Sequence, residues 1–191
     1  MAQAMERPPL VEELIRRLDV AVRENCPKRC TGGVKEVLED VVGRGTEFLE
    51  AATIAPHPDR YARRLLHRDP DGRYSIVVMT WGAGQHTPVH DHAGLWCVEC
   101  VYQGTIEVTS FSLIGEPDGD RFAFRPETAV RAVLGDAGAL IPPFEYHRIA
   151  NASDATAVTI HVYGGDMDWC HRFDPVDDGT WSRTRCRLSF D

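Results

Sequence analysis

His90-Asp91-His92 and, farther along the chain, His147 are the residues whose types and spacing best suit chemistry. Positions two apart on a strand project to the same face. On a strand, His90 and His92 therefore stand side by side while Asp91 points away. Two imidazoles fixed in this way suit a metal ion, and His147, supplied by a neighbouring strand, is the natural third ligand. An ion held on one face by neutral imidazoles keeps its other positions open, which points to catalysis rather than to a structural role.

The elements that must position these residues fall into two groups. Residues 11–22 carry apolar side chains at close to helical spacing, and residues 34–52 repeat the pattern, weakened in the middle by Gly43 and Gly45. Pro56-His57-Pro58 ends that element, and Asp59 suits the N-cap of a short helix running to about His67. After Asp69-Pro-Asp-Gly the pattern changes to short strands over 74–81, 95–102, 105–113, 121–124, 128–134, 139–141, 147–150 and 155–162, punctuated by glycine, proline and aspartate. Strands spaced like this indicate a sandwich or small barrel. The expectation is one mainly β domain over 1–191, with a helical cap over about 9–68, a β-barrel over about 73–174 and a C-terminal extension over about 175–191.

A chain of 191 residues with 43% hydrophobic content is long enough to bury a core. Its net charge of −8 and lack of a basic block argue against nucleic acid or an anionic membrane as partner. No run at the N-terminus reads as a signal peptide, and no stretch approaches the roughly 20 apolar residues of a membrane helix. The expected location is the cytoplasm, with Cys26, Cys30, Cys97, Cys100, Cys170 and Cys186 reduced. Cys97-x-x-Cys100 suggests zinc or a redox pair, but residues three apart on a strand face opposite sides, so one buried cysteine and one other is the preferred reading. Cys26 and Cys30 flank Pro27 in what reads as a loop. His57, His67 and His86 are given no role and are expected to be exposed.

Gly84, five residues, His90-x-His92, four residues, Cys97, six residues and Gly104 resemble the first motif of the cupin superfamily, with cysteine where that motif has glutamate. Pro142-x-Phe144-x-x-His147-x-x-x-Asn151 approximates the second, with phenylalanine where glycine is usual. Within the cupins the chain resembles the cysteine dioxygenase family of thiol dioxygenases. The segments carrying this are Tyr61-Ala-Arg63-Arg64-Leu-Leu, Trp81-Gly-Ala-Gly84, His90-Asp-His92, Cys97, Gln103-Gly104, His147-Arg148, His161-x-Tyr163 and Trp169-Cys170-His171-x-Phe173-Asp174. The resemblance implies a cupin-type jelly roll with N-terminal helices and a mononuclear Fe(II) held by His90, His92 and His147. The substrates it implies are dioxygen and a small carboxylate-bearing thiol. Without the motif glutamate, three neutral histidines leave the full dipositive charge, which suits a substrate that brings a thiolate.

The resemblance also assigns roles around the metal. Arg63 is the expected carboxylate clamp, because a guanidinium holds a carboxylate with two prongs, and Tyr61 and Tyr163 assist it. Arg64 is the adjacent alternative, and a surface arginine on a helix is the non-functional one. In the family, arginine at this position goes with cysteine, and glutamine with 3-mercaptopropionate. Tyr163 and His161 share a strand face; the family places the tyrosine hydroxyl beside the iron and hydrogen-bonds the histidine to it, with Thr159 here in the serine position. Both are expected to be catalytic. Cys97 sits where mammalian members form a thioether with that tyrosine, which implies a Cys97–Tyr163 crosslink. Gly164-Gly165-Asp166 replaces the mammalian Ser-Pro-Pro and resembles bacterial members; Arg172 or His171 would be a second basic group for a dicarboxylate. The expected reaction is L-cysteine to cysteine sulfinate, with 3-mercaptopropionate or mercaptosuccinate as alternative substrates. A metal-binding cupin isomerase or a non-catalytic binding module is the more remote reading. The absent glutamate weighs against the isomerase, and Arg63, His161 and Tyr163 in family register weigh against the binding module.

Overall fold

The computed structural model describes residues 7–143, 145–177 and 179–191; Phe144, at the glycine position of the second motif, lies outside them. Two helices come first, α1 (Pro9–Ala21) and α2 (Pro27–Gly43). Each opens with proline in its first turn, where the fixed φ is already helical and the missing N–H is not needed. Val11, Leu14 and Leu18 of α1, and Val34, Val37, Leu38, Val41 and Val42 of α2, form buried stripes at helical spacing. Proline sets the start of α2 seven residues earlier than the apolar pattern suggests, and the helix stops at Gly43 rather than continuing to residue 52. Cys26 is therefore the N-cap of α2 and Cys30 a buried helical residue, not a loop pair.

Strands follow: β1 (Ala62–Arg68), β2 (Ser75–Trp81), β3 (Val89–His90), β4 (Cys97–Gln103) and β5 (Thr105–Leu113), then β6 (Arg121–Phe122), β7 (Phe124–Pro126), β8 (Val130–Val133) and β9 (Ala137–Leu140). The last are β10 (His147–Ala150), β11 (Ala157–Tyr163), β12 (Trp169–Pro175) and β13 (Trp181–Arg187). One sheet has the order β1-β2-β11-β4-β9; the other runs β6-β13-β12-β3-β10-β5-β7, with β8 also on β5. The short helix expected over 59–67 is instead the edge strand β1, paired antiparallel to β2 through a bulge between Leu65 and His67. Its leucines and arginines favour a helix locally, but pairing with β2 overrides that weak preference. The helical cap thus ends well before residue 68. The expected C-terminal extension is not an appendage, because β13 is a full strand between β12 and β6.

The first sheet is covered on both faces, and strict alternation sorts its side chains. Ile76, Val78, Val98, Cys100, Val158, Ile160 and Val162 pack outward against the helices. Val77, Met79, Trp81, Cys97, Val101, Ala157 and Tyr163 point inward, into the space between the sheets. This double burial is why β2 and β11 are buried along their whole length and rich in apolar residues, and each fully buried Val or Ile contributes about 1.5–3 kcal/mol. Cys97 and Cys100 do face opposite sides, but both are buried, one in each core. Gly104 turns β4 into β5 at φ +77°, where an added Cβ would lie 2.9 Å from the Thr156 carbonyl oxygen; the motif glycine is required by space and by conformation. No helix among the described residues is long and apolar enough to cross a membrane.

Candidate metal centre

β10 and β3 are antiparallel neighbours, with His147 opposite His90. β3 ends at His90, so His92 is presented by a tight turn rather than by the strand expected from His-x-His. Ala93 takes a positive φ of 55° in this turn, and its N–H donates to Asp91 Oδ1 at 3.1 Å. Asp91 points away from the metal side, as expected, and anchors the turn. Its carboxylate also accepts the His171 backbone N–H and lies 2.8 Å from His171 Nδ1. The result brings the His90, His92 and His147 ring nitrogens to within 4.8 Å of one another.

The outer nitrogens of two of the three rings are already engaged. His147 Nδ1 faces the Glu145 carbonyl oxygen at 2.9 Å, and His90 Nδ1 faces that of Pro88 at 3.1 Å. A ring that donates Nδ1–H outward turns the Nε2 lone pair inward. His147 Nε2 and His92 Nδ1 are buried without a hydrogen-bond partner. Burial, reinforced by the neighbouring imidazoles, holds His92 and His147 well below the usual histidine pKa, so both are neutral. Neutral imidazoles with unpartnered buried nitrogens, as in His92 and His147, are what a divalent transition-metal ion requires, and with His90 converging on them the three residues fit one.

Behind the triad, β4 and β11 bring Cys97 opposite Tyr163 and Glu99 opposite His161. Trp81 Nε1–H donates to Thr159 Oγ1 at 2.9 Å, and that hydroxyl lies 2.8 Å from His161 Nε2. His161 Nδ1 lies 4.0 Å from Cys97 Sγ. The His161 and Tyr163 rings stack with centroids 5.9 Å apart, so their contact is ring against ring rather than the hydrogen bond the resemblance implies. Burial pushes the Tyr163 phenol and the Cys97 thiol well above their ordinary pKa values.

Glu99 is the residue the sequence reading missed. It is 6% exposed, and burial alone pushes its carboxyl up to about 8. Oε2 has no hydrogen-bond partner and lies 3.7 Å from both His147 Nε2 and His161 Nδ1. The available signal was parity, because on one strand Glu99 shares the inward face of Cys97.

Arg63 and Arg64 are separated by the same alternation. Arg63 is 5% exposed, with Nη2 donating to the Met167 carbonyl at 2.7 Å and its guanidinium 4.8 Å from the Phe190 ring. Arg64 reaches the opposite side and donates to the Thr53 carbonyl. A cavity of about 40 Å³ is lined by Tyr61, Arg63, His90, His161 and Tyr163, with Met79, Met167 and Leu188 among its apolar walls. Neither proposed second basic group reaches this cavity. His171 is committed to Asp91, and Arg172 pairs with Asp174 at 2.9 Å. Of the unassigned histidines only His86 is exposed; His57 is half-buried, and half-buried His67 packs on the Tyr74 ring.

A family model described as cysteine dioxygenase type I matches residues 32–176. Cysteine dioxygenase type 1 of Homo sapiens is 30% identical over 148 residues, covering 74% of this chain and 68% of its own length. The Rattus norvegicus protein of that name is 28% identical over 120 residues, covering 60% and 56%. A solved Klebsiella pneumoniae protein with a double-stranded β-helix domain is similar with a TM-score of 0.46 at 15% identity, covering 64% of this chain and 94% of its own. With the whole histidine triad inside the matched span, the chain belongs to the cysteine dioxygenase family of cupins, a family of non-haem iron thiol dioxygenases.

Proposed function

We propose that this protein is an Fe(II)-dependent dioxygenase that adds both atoms of dioxygen to the sulfur of a small thiol carboxylate, L-cysteine foremost, giving a sulfinate. The observation carrying this reading is a shared wall: the ligand His90 and the guanidinium-bearing Arg63 line one buried cavity together with Tyr61, His161 and Tyr163. Iron held by His90, His92 and His147 would supply the redox chemistry with dioxygen.

The rest is the work of the chain's own side chains. Arg63, braced by the Met167 carbonyl, holds the substrate carboxylate and so directs the thiol toward the histidines. Tyr61 and Tyr163 present hydroxyls beside it. Thr159 fixes His161, and the indole of Trp81 fixes Thr159, which keeps the imidazole stacked on Tyr163. Met79, Met167 and Leu188 exclude water from the reacting sulfur. A cavity of about 40 Å³ has room for about three waters, so the flexible Met167 and Leu188 side chains must give way as substrate enters.

Oxygen consumption by iron-loaded protein, measured in parallel with L-cysteine, 3-mercaptopropionate and mercaptosuccinate, tests the reading. Uptake matched by one sulfinate product identifies the substrate. Absence of uptake with every thiol, despite bound iron, overturns the reading.

A further inference from the structure

β1 is an edge strand of its sheet, and an edge leaves backbone N–H and C=O groups without a ladder partner. At Arg63 both groups are taken by one residue far along the chain. The Asp191 N–H donates to the Arg63 carbonyl oxygen at 2.9 Å, and the Arg63 N–H donates to Asp191 Oδ2 at 2.7 Å. We infer that Asp191 is a positioning residue for the carboxylate clamp: it seats residues 188–191 on the edge of β1, and that segment holds the Arg63 guanidinium in the cavity wall. This rests on Arg63 as the clamp in the function proposed above and adds what aims it.

Three observations converge. The segment is stitched at both ends, by Asp191 to Arg63 and by the Leu188 N–H, which donates to the Asp168 carbonyl at 2.8 Å. Between these anchors the Leu188 side chain lines the cavity, the Ser189 carbonyl accepts from Arg63 Nη1 at 3.4 Å, and the Phe190 ring lies 4.8 Å from the guanidinium. The supports of the guanidinium are also all neutral. Met167 and Ser189 offer carbonyl oxygens, Phe190 and Tyr163 offer ring faces, and among the described residues no carboxylate pairs with it. A buried guanidinium supported in this way stays open to an anion from outside. The third observation is where the charge of Asp191 goes. Arg60 Nη1 donates to Asp191 Oδ2 at 3.0 Å, and Arg60 Nη2 pairs with Oδ1.

The Asp191 carboxylate thus binds the Arg63 backbone, gives its charge to Arg60, and does not compete with a substrate carboxylate for the Arg63 guanidinium. An arginine side chain has many rotamers, and bracing it before the substrate arrives removes an ordering cost that would otherwise weaken binding.

The test is anaerobic titration of the Co(II)-loaded protein, followed by thiolate-to-cobalt absorption, with L-cysteine and with cysteamine, which has the same thiol and amine but no carboxylate. Asp191→Ala is expected to bind L-cysteine on the order of 10-fold more weakly than wild type, while its affinity for cysteamine stays within about twofold. Asp191→Asn, whose amide oxygen can still accept the Arg63 N–H, is expected to recover most of the loss. Affinity for the two thiols weakened alike, or unchanged for both, in Asp191→Ala overturns the assignment. Phe190→Leu, which removes the ring beside the guanidinium, keeps the test available if the Asp191 variants fail to fold: it should show the same selective loss, and equal weakening of both thiols would count against the segment. Wild-type protein that binds cysteamine as well as L-cysteine would sink Arg63 as the clamp, and this inference with it. A preference for L-cysteine that survives intact in Asp191→Ala would sink only the role of Asp191.

Discussion

Cys97 on β4 and Tyr163 on β11 are direct partners across an antiparallel ladder, both buried and both facing the interior that holds the histidine triad. Side chains directly opposite in such a ladder have Cβ atoms about 4.5–5.5 Å apart. That is close enough for a sulfur to reach the edge of the partner ring with little backbone movement. The crosslink implied by the family therefore needs only oxidation: one hydrogen lost from the thiol, one from the ring, and a new S–C bond. Iron-loaded protein incubated with thiol and air is expected to lose the mass of two hydrogens, and Cys97→Ser is expected not to. A wild-type mass that stays constant through turnover would rule the bond out.

Alternation along β1 makes Arg63 and Arg64 an internal control for each other. Arg63 lines the cavity, while Arg64 donates to Thr53 on the other side. Loss of a charge-assisted pair to a carboxylate costs about 1.5–3 kcal/mol, so Arg63→Lys is expected to raise KM on the order of 10–100-fold for a carboxylate-bearing thiol. Arg64→Lys should leave KM within about twofold. Steady-state kinetics on the two variants would place the clamp elsewhere if Arg64 proved the more sensitive.

Gly164 is required by space rather than by backbone conformation. A Cβ added there would lie 2.4 Å from Trp96 Nε1 and 2.5 Å from Cε2, and the indole is a rigid neighbour. Gly164→Ala should therefore cost about 1–3 kcal/mol through overpacking, a fall in Tm of roughly 2–10 °C. A thermal melt unchanged by the substitution would show that Trp96 moves freely.

The β1–β2 hairpin should be sensitive to acid through one pair. Arg73 donates from Nη2 and Nε to both oxygens of Asp69, at 2.7 and 2.8 Å, and reaches on to Asp19 of α1. Its guanidinium holds the Asp69 carboxyl down to about 2, and the pair ties helix to sheet. A carboxyl depressed in the folded state contributes its stability fully above its unfolded value of about 4 and loses it as pH falls through the folded value. Asp69→Asn should thus lower Tm at pH 6, and the gap to wild type should narrow toward pH 2. A gap independent of pH would mean that the aspartate acts through shape alone.

Strands β2, β4, β5 and β8 to β11 were legible because turn residues and apolar patterns mark them, and the triad because two motifs are written locally around it; β12 and β13 were not among the expected strands. What was not legible depended on partners distant in sequence. β1 looks helical until β2 lies beside it, and His92 looks like a strand residue until Asp91 is tied to His171. Glu99 carries no local mark at all. Its importance comes from His147 and His161, which strands β10 and β11 bring to it.

The tether between Asp91 and His171 also bears on when the centre can exist. The turn that aims His92 is secured by a residue on β12, 80 positions downstream, and β12 is itself flanked by β13. On the ribosome, a nascent chain that has emerged only through His147 holds all three histidines and lacks the strand that fixes their spacing. If iron is held by this triad, metal capture is therefore expected to follow completion of β12, and an incomplete polypeptide released early is expected to be a poor iron chelator.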